Sequence, residues 1–391
     1  MLTEKTDVLI VGAGPTGLAL SIALTQAGVN HLLVEKLPSG QNTSRAAVIH
    51  AHTLEALEKL GVVGELTRRG MNLTKFALRD RDRTLLKLRF DQLPSRYAEI
   101  LMLPQDETEA VLQDRLLALG GSVHWNTAVS SVEKHGDGHV ARLTTSEGER
   151  VVQARFVIGA DGMHSVVRQS AGIGFEGETY AGSFVLADIT MDWSIGSEEV
   201  SLFFSPLGMA VVAPLPHGRY RVVATMENAA EKPGIADIQA ILAARGPSDG
   251  KTRVREVIWS SRFRLHHRVA TAYRNGGMLL MGDAAHVHSP AGGQGMNTGL
   301  VDAMVLGEAL TRVVRDGKPE AELDRYEALR RPAAIEVLAM ADRLTGLAMV
   351  QGGFRRAVRN VALGLLDRVG PLKRKLELGL SGLSRKAYSE L

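Results

Sequence analysis

The first 35 residues of the chain show the hydrophobic pattern of a strand, a helix and a second strand. The apolar run Asp7–Val11 predicts a buried strand, Pro15–Ala27 predicts a helix that ends at Gly28, and His31–Glu35 predicts a second strand. Because two strands that are joined by a helix normally lie parallel in one sheet, this pattern favours an α/β fold that begins with a β-α-β unit.

Comparable patterns recur later in the chain, with a β-rich stretch in the middle. Two more helices are predicted at residues 52–60 and 106–119. Two strands that are buried on both faces are predicted at Phe156–Ala160 and Met278–Gly282. Alternating runs at residues 184–192, 199–213 and 219–226 predict an antiparallel sheet between those two strands. Residues 229–250 are expected to be the loosest stretch.

The composition is that of an ordinary globular protein, and one missing residue type is informative. The 391 residues include no cysteine, which excludes disulfides, thiolate nucleophiles, zinc-thiolate sites and a redox-active dithiol pair. Any redox chemistry would therefore belong to a bound cofactor. Residues 1–6 lead directly into the first strand without a signal-peptide core, and no apolar run is long enough to span a bilayer, so we expect a cytoplasmic protein.

Positive charge is concentrated near the end of the sequence. The formal net charge is +3, yet the residues from Gly352 onward carry nine Lys or Arg against three acidic side chains. Beside apolar positions such as Val361 and Leu365, this basic stripe would suit a membrane-surface or partner helix. We favour the alternative of a helix that packs on its own domain with its basic face in solvent. No feature indicates nucleic acid or stable membrane insertion.

A glycine-rich turn joins the first predicted strand to the first predicted helix. Gly12, Gly14 and Gly17 have the G-x-G-x-x-G spacing, in which the glycines permit a tight turn, a close approach by a pyrophosphate and close packing of helix on strand. The start of the helix, at Pro15 and Thr16, offers free N–H groups to the phosphates.

The acidic residue expected for such a site stands at the end of the second strand. Glu35 follows Gly17 by 18 residues, and its carboxylate would accept the hydroxyls of an adenosine ribose. Lys36 comes next and is included in the predicted site. By itself, this first motif leaves NAD, FAD and a purely structural glycine turn as alternatives.

A second motif, G-A-D-G-M-H-S-V-V-R, follows the strand that ends at Ala160. Asp161 would place a carboxylate over the ligand crevice, while Gly162 keeps the path of the ligand open. The alternative is that Asp161 caps the helix that contains Ser165 and Arg168.

The third motif, M-G-D-A-A-H-V-H-S-P-A-G-G-Q-G-M-N-T-G, favours FAD over NAD. Asp283 would hold hydroxyls of a ribityl chain, which NAD does not have. The glycine-rich loop Pro290–Gly295 opens a predicted helix, Met296–Leu310, whose positive end would stabilise a reduced flavin by roughly 0.3 to 2 kcal/mol. An ordinary glycine-rich helix entry is the alternative. The predicted flavin contacts here are Gly282, Asp283, Pro290, Gly293, Gly295, Met296 and Asn297.

In this order, the three motifs resemble those of the FAD-dependent aromatic hydroxylases, the single-component (class A) monooxygenases similar to p-hydroxybenzoate and phenol hydroxylases. The resemblance runs from about residue 6 to about residue 345. It implies FAD as cofactor and NADPH or NADH as a transient co-substrate, because no second glycine motif provides a nicotinamide-binding domain. It also implies that O2 reacts at the reduced flavin and that a C4a-hydroperoxyflavin hydroxylates an aromatic ring.

The resemblance adds residues that spacing alone would not select. Ser44, Arg45 and Gln105 match family positions along the FAD and the nicotinamide path. Arg45, Pro290 and His288 are the candidate catalytic residues, although the sequence names no general base. Candidate substrate-pocket residues from the β-rich region are Phe203, Met209 and Val211, and no metal site is predicted.

The resemblance also implies a domain organisation. We expect a Rossmann-type FAD/NAD(P)-binding domain interleaved with an antiparallel-sheet substrate domain and followed by a helical C-terminus. The FAD domain is assigned to residues 1–75, 101–175 and 276–345, the substrate domain to residues 76–100 and 176–275, and the basic helical segment to residues 346–391.

Two departures from the family pattern bear on the expected substrate and on the expected oligomeric state. Where hydroxylases of benzoates clamp the substrate carboxylate with serine and arginine, this chain has Val211–Pro214, which disfavours a small anionic benzoate. The phenol-specific relatives continue past their L-S-G-L element into a thioredoxin-like domain, whereas this sequence stops soon after Leu380–Leu383, so we leave monomer and homodimer open.

Taken together, these patterns predict an NAD(P)H- and O2-dependent FAD monooxygenase that hydroxylates an apolar phenolic or polycyclic aromatic substrate. Two alternatives remain at this point. The first is an FAD-dependent dehydrogenase or reductase of the same fold that acts on a lipid-like substrate. The second is a non-catalytic, flavin-gated binding protein.

Overall fold

The computed structural model describes residues 5–40, 46–226, 229–348, 350 and 352–391. The strands are β1 Lys5–Val11, β2 His31–Val34, β3 Val48–His50, β4 Met71–Leu73, β5 Lys75–Asp80, β6 Arg83–Arg89, β7 Ile100–Met102, β8 Ala128–His135, β9 Gly138–Thr145, β10 Gly148–Gly159, β11 Phe175–Asp192, β12 Glu199–Ser205, β13 Gly208–Leu215, β14 Arg219–Met226, β15 Arg253–Ala270, β16 Arg274–Asn275, β17 Met278–Leu280 and β18 His286–Val287. The helices are α1 Pro15–Gln26, α2 Ala51–Leu57, α3 Val63–Arg69, α4 Gln105–Ala118, α5 Val166–Ser170, α6 Ile235–Arg245, α7 Gly295–Val314, α8 Glu322–Ala348, α9 Gly353–Leu366 and α10 Gly370–Leu380.

The first sheet brings the three sequence motifs to one edge. Its parallel core runs β17-β10-β1-β2, and the apolar side chains of β1 from Val8 to Ile10 are fully buried. Such strands, covered on both faces, are the continuous apolar runs that the sequence shows. Because the strands are parallel, their carboxyl ends lie together, and Gly12, Asp161 and Asp283 follow the ends of β1, β10 and β17.

The same sheet continues into an antiparallel meander that has no counterpart in the sequence predictions. β9 pairs with β10, and β8 pairs with β9. The N-terminal half of β10 is exposed apart from Val152, so it lacks the apolar run that marks the end of the strand.

The second sheet has eight strands in the order β18-β15-β11-β14-β13-β12-β5-β6. It is antiparallel except where β12 lies parallel to β5. The predicted antiparallel sheet is therefore present, and the predicted run at residues 199–213 is two strands joined by the turn at Pro206 and Leu207. These strands come mainly from the ranges assigned to the substrate domain, although the division of the chain into domains remains a prediction.

The expectation that residues 229–250 form the loosest stretch is wrong. Helix α6 occupies Ile235–Arg245, and Ile238, Ile241 and Leu242 lie buried against the second sheet. These positions have the i, i+3, i+4 spacing of an amphipathic helix. The flanking Pro233-Gly234 and Gly246-Pro247 pairs obscured that spacing because they punctuate the segment on both sides.

The C-terminal helices pack across the edge of the second sheet. Backbone N–H groups of Lys87 and Arg89 in β6 donate to Asp367 at 3.0 Å and to Glu377 at 2.9 Å. The α/β fold with a helical C-terminus is thus confirmed. No helix of the described ranges is long and apolar enough to cross a membrane.

Candidate active site

The β1–α1 turn is built so that backbone can approach backbone. Gly12 has a φ of +105°, and a Cβ added there would lie 2.4 Å from the carbonyl oxygen of Ala160. A Cβ on Gly17 would lie 1.9 Å from the carbonyl oxygen of Gly12. A Cβ on Gly14, in contrast, would meet nothing within 4 Å, and Gly14 lines the large cavity described below. The open side of this turn therefore leaves room for a ligand group next to the start of α1.

Thr16 connects the first motif to the third. A Cβ added to Gly282 or to Gly299 would come within 2.9 Å or 2.6 Å of the Thr16 hydroxyl oxygen, so both glycines are needed for this close packing. Pro15 occupies the first turn of α1, where its missing N–H costs no hydrogen bond. Two of the predicted walls of the site are thus in direct contact.

Glu35 is held by the backbone at the end of β2. Its Oε2 accepts a hydrogen bond from the Ala13 N–H at 2.9 Å, and its Oε1 accepts one from the Leu37 N–H at 3.1 Å. Each carboxylate oxygen keeps a further lone pair, which suits the two hydroxyls of a ribose. Lys36 is exposed and also lines the cavity.

Gln105 opens α4 on the same side of the cavity. Its Oε1 accepts from the Ala46 N–H at 3.2 Å, and its Nε2 donates to Oε1 of Glu109 at 2.8 Å. Burial raises the pKa of Glu109 to about 7, despite the opposing effect of this hydrogen bond, with further contributions from Asp106 and Glu35. Ser44 and Arg45, the other predicted residues here, lie outside the described residues.

Asp161 caps α5 and also faces the cavity. Its Oδ2 accepts from the N–H groups of Val166 and Val167 at 2.7 and 3.3 Å, and so it supplements the N-cap residue Ser165, whose Oγ accepts from the Arg168 N–H at 2.9 Å. Its Oδ1 is buried and has no hydrogen-bond partner among the described residues, and burial raises the pKa of Asp161. Gly162 lines the same cavity.

Arg168 ties the second motif to the third. Its guanidinium donates to the carbonyl oxygens of Ala284 at 2.8 Å and of Met163 at 2.7 Å, and it stacks on the Phe175 ring at 3.9 Å from the centroid. The arginine of this motif therefore positions the turn that carries Asp283.

Asp283 itself is exposed to the cavity at the carboxyl end of β17. The turn that carries it rests on a buried charge network, in which Asp302 accepts from the Gly282 N–H at 3.1 Å, from His286 at 2.7 Å and from Arg330 at 2.7 Å. Burial opposes the ionisation of Asp302, but the charges of His286 and Arg330 outweigh it, so the pKa of Asp302 lies below its usual value.

The loop Pro290–Gly295 leads into α7 and is held from behind. The Asn297 side chain accepts from the His50 N–H at 2.8 Å and donates to the carbonyl oxygens of Val48 and Gly293, each at 2.8 Å. The His50 imidazole bonds the Gly292 carbonyl at 2.8 Å. Asn297 was predicted to contact the flavin, but both ends of its side-chain amide are engaged in fixing the loop, and it does not line the large cavity.

His288 lies on the loop just before Pro290. Its Nδ1 lies 2.7 Å from the Ser289 carbonyl oxygen, which can only accept, so Nδ1 carries the hydrogen and Nε2 keeps its lone pair. Nε2 is shielded from solvent and has no hydrogen-bond partner among the described residues. Burial lowers the pKa of His288 to about 4, and the ring is therefore neutral near pH 7.

One cavity of about 1330 Å³ connects residues of all three motifs to the second sheet. On the sheet side it is lined mainly by apolar residues, which are Val200, Leu202, Met209, Val211, Ala213, Val223 and Phe263. The helices of the C-terminal segment add Leu363, Leu366, Leu372 and Leu376. The cavity therefore has one polar, glycine-rich wall and one apolar wall.

Two of the three predicted pocket residues line this cavity, and the third does not. Met209 and Val211 face it, whereas Phe203 is fully buried on the other side of the sheet, in edge contact with Trp193. The reason is the register: Phe203 pairs with Ala210, and cross-strand partners share a face. The assignment of Phe203 to the pocket was wrong.

Comparison with known proteins agrees with this geometry. The family model for the FAD binding domain matches residues 5–341. A 6-methylpretetramide 4-monooxygenase of Streptomyces rimosus is 34% identical over 390 residues, which cover 97% of this chain and 70% of that protein. The chain belongs to the FAD-dependent aromatic monooxygenases.

Two further relatives define how much of a family member this chain spans. The pentachlorophenol 4-monooxygenase of Sphingobium chlorophenolicum is 34% identical over 370 residues, which cover 93% of this chain and 66% of that protein. The crystal structure of p-nitrophenol 4-monooxygenase from Pseudomonas putida superposes with a TM-score of 0.89 at 25% identity and covers 98% of this chain and 99% of that one. This monooxygenase chain thus spans about two thirds of some relatives and nearly all of another.

Sequence reasoning missed several side chains that hold the site of this monooxygenase together. Asp302 carried a signal, since it is an acid within an apolar stretch of α7 and is fully buried. Arg330 and His50 carried none, because each comes from an element far away in sequence and reaches the site only through the packed structure. Among the described residues, no three His, Asp or Glu side chains are grouped so that they could hold a metal ion.

Proposed function

We propose that this monooxygenase hydroxylates an apolar phenolic or polycyclic aromatic compound, with NADPH or NADH as electron donor and O2 as co-substrate. The observation that carries the proposal is the continuity of the cavity, which runs from the three glycine-rich motifs to the apolar face of the second sheet. A single small-molecule pocket usually has a volume of about 300 to 1,000 Å³. The larger volume found here supports two ligands, a cofactor and a sizeable substrate.

The residues of the polar wall fit FAD. The open space beside Gly14 and the start of α1 would take the pyrophosphate, and Glu35 would take the ribose of the ADP half. Asp283 would take hydroxyls of the ribityl chain, and the loop before Gly295 with the positive end of α7 would face the flavin ring. The chemistry that the bound flavin supplies is reduction by NAD(P)H followed by activation of O2 at its C4a position.

The second sheet would hold the aromatic substrate and exclude water. Its cavity-facing positions are apolar from Val200 to Val223, and the guanidinium of Arg221 on the same wall is paired with Asp188 at 2.7 and 2.8 Å. The charge of this arginine is therefore compensated within the sheet. A carboxylate held against the central strands of this wall would lose its hydration without gaining an unpaired cation there, which supports an apolar substrate on this part of the cavity.

The candidate catalytic residues take different parts in this proposal. Arg45 would orient the nicotinamide co-substrate, and Pro290 would shape the loop, where its carbonyl oxygen accepts from the Gly293 N–H at 2.9 Å. His288 would accept a proton from a substrate hydroxyl at Nε2 after a rotation that brings this shielded atom to the cavity. A cytoplasmic location and a monomeric or homodimeric state remain predictions from the sequence.

A substrate panel tests the proposed class. The FAD-loaded protein would be assayed for NAD(P)H oxidation with alkylated phenols, naphthols, polycyclic phenols and simple benzoates. We expect stimulation by the apolar phenols and polycyclic compounds and little or none by the benzoates. The variant Val211→Asp, which places a charge on the apolar wall, should lose this stimulation, whereas Leu207→Asp in the exposed turn outside the cavity should keep it. Stimulation by benzoates alone would refute the proposed substrate class.

A further inference from the structure

The C-terminal helices expose an unusual amount of apolar surface. Among the described residues, thirteen large apolar side chains are exposed, and seven of them lie between Leu347 and Leu372. Four of these seven lie on α9 at spacings of four, three and four residues, which places them on one face of the helix. They are Phe354, which is 84% exposed, Val358, Val361 and Leu365. This face, together with Val369, is called the α9 stripe below.

The opposite face of α9 fixes the orientation of the stripe. Arg359 is buried and stacks on the Phe204 ring at 4.4 Å, Asn360 donates to Asp80 at 2.6 Å, and Leu363 is buried in the core of the second sheet. A rotation that hid the stripe would break these contacts and expose a buried arginine. The stripe therefore faces outward because α9 is anchored by its other side.

Positive charge without nearby acids surrounds the stripe. In the described part of the chain, Arg355, Arg356 and Arg368 have no acidic group within ion-pair distance, and neither has Lys375, which also lines the cavity. The two acids of this region are already used, because Asp367 pairs with Lys373 at 3.1 Å and Glu377 is buried beside Arg374 and β6. The outer surface of α9 and of the turn that follows it thus combines an apolar stripe with uncompensated cations.

We propose that the α9 stripe docks on an anionic lipid surface. An interfacial helix requires an apolar face that enters the boundary of the acyl chains and basic side chains that reach anionic headgroups, and α9 has both. A second copy of the chain fits less well, because a symmetric contact through the stripe would bring the two sets of uncompensated cations together. The docking is peripheral, since it involves one face of a helix.

The inner side of α9 and α10 suggests a purpose for this docking, namely access of the substrate to the cavity. This purpose rests on the proposed function. Leu363 and Leu366 of α9 line the apolar end of the cavity together with Leu372 and Leu376 of α10, so the stripe and the substrate cavity lie on opposite sides of α9. Docking would place the cavity beside the phase in which an apolar aromatic compound is most concentrated.

Vesicle sedimentation without substrate or NAD(P)H tests the docking separately from the reaction. The FAD-loaded full chain would be mixed with vesicles of phosphatidylcholine alone or of equal parts phosphatidylcholine and phosphatidylglycerol. We expect binding to the anionic vesicles at low salt, weak binding to the neutral ones, and a loss of binding as salt rises, since the Debye length falls to about 8 Å at physiological ionic strength.

Two pairs of substitutions separate the apolar and ionic contributions. Val361→Asn with Leu365→Asn should weaken partition by about tenfold or more, because two apolar side chains no longer enter the lipid boundary. Arg355→Gln with Arg368→Gln should weaken it by about fivefold for each arginine. The matched control, Leu117→Asn with Leu207→Asn, removes two equally exposed apolar side chains elsewhere and should bind like the unmodified chain.

Three results would overturn the proposal. One is no sedimentation with anionic vesicles at low salt, and another is unchanged binding by the Val361/Leu365 variant while its unfolding curve matches the unmodified chain. The third is a dimer in sedimentation velocity that this variant dissociates, without any vesicle binding, which would assign the stripe to a second copy. None of these results depends on hydroxylation, so that function would stand or fall separately.

Discussion

Asp283 is the side chain on which the choice of cofactor depends most. It follows β17 and is exposed to the cavity, while the turn beneath it is fixed by Asp302 through the Gly282 N–H. A carboxylate that accepts hydrogen bonds from ribityl hydroxyls contributes about 1.5 to 3 kcal/mol. Asp283→Ala should therefore raise the FAD dissociation constant by about tenfold to a hundredfold, measured by the quenching of flavin fluorescence.

The control for this substitution is Asp137→Ala, in the exposed turn between β8 and β9. It should bind FAD like the unmodified chain. If Asp283→Ala kept its full flavin content after dialysis, the ribityl role of this carboxylate would be wrong.

Glu109 should make the stability of the FAD-free protein depend on pH. Burial raises its pKa to about 7 in the folded chain, so between about pH 4.5 and pH 7 the folded state keeps a proton that the unfolded state has lost. The free energy of unfolding should therefore fall as pH rises through this window, by on the order of 1 to 3 kcal/mol. Glu109→Gln, which stays neutral, should be more stable than the unmodified chain at pH 8 and similar to it at pH 4.5.

Urea unfolding at the two pH values measures this effect. Glu107→Gln, on the same helix but with a half-exposed carboxylate, is the matched control and should not change the pH dependence. Equal stability of the Glu109→Gln variant and the unmodified chain at pH 8 would show that Glu109 is ionised in the folded state without penalty.

Among the elements, the β1–α1 turn contains two glycines whose substitution should affect cofactor binding and folding differently. The Cβ of Gly14→Ala would project into open space beside the cavity, whereas the Cβ of Gly17→Ala would lie 1.9 Å from the Gly12 carbonyl oxygen. Gly14→Ala should keep the melting temperature of the FAD-free protein within about 2 °C, a shift of less than about 1 kcal/mol, and lose FAD affinity. Gly17→Ala should lower both the melting temperature and the FAD affinity.

Differential scanning fluorimetry and flavin titration report the two effects independently. Full FAD affinity in Gly14→Ala would show that the pyrophosphate does not approach this turn. A melting temperature in Gly17→Ala equal to that of the unmodified chain would contradict the close packing of α1 on β1.

The sequence predicts what is local and misses what depends on register. The glycine spacing and the strand at Asp7–Val11 are local properties, and β1 and α1 lie within two residues of their predicted bounds. The face of β12 is not local: the hairpin at Pro206 and Leu207 pairs Phe204 with Met209, which sends Phe203 to the opposite side. No periodicity in the sequence could fix that pairing.

The residues of the candidate site also fall into those that local sequence predicts and those that depend on tertiary packing. The predicted groups that come directly after strands, such as Glu35, Asp161 and Asp283, all line the cavity because parallel strands end at one edge. The groups that hold them, Asp302 and Arg330, meet only after α7 and α8 pack together. Their role could not be derived from sequence, since a buried ion pair is a property of the packed structure.

For the molecule as a whole, the segment from residue 352 onward belongs to the structure of the site. Buried Arg385 donates to the side chain of Gln294 at 2.9 Å, and Gln294 donates to the Leu380 carbonyl oxygen at 2.9 Å. Gln294 lies in the loop that would face the flavin, so loss of the segment would leave buried polar groups without partners. Deletion of residues 352–391 should lower the melting temperature by about 5 °C or more and reduce FAD retention.

Arg385→Gln, which removes only the charged donor that hydrogen-bonds Gln294, should show a smaller loss of both properties. Thermal unfolding and flavin content after gel filtration provide the two readouts. A truncated chain that melts at the original temperature and retains its FAD would show that the C-terminal helices are independent of the flavin site.

Isotope labelling measures directly whether oxygen from O2 enters an aromatic ring in this cavity. The FAD-loaded protein would be incubated with NAD(P)H, an apolar phenol or polycyclic phenol that stimulates NAD(P)H oxidation, and ¹⁸O2. We predict a product that carries one added ¹⁸O atom, formed in proportion to the NAD(P)H consumed. Hydrogen peroxide as the sole fate of the oxygen, or a desaturated product without the label, would contradict the assignment and favour a dehydrogenase of the same fold.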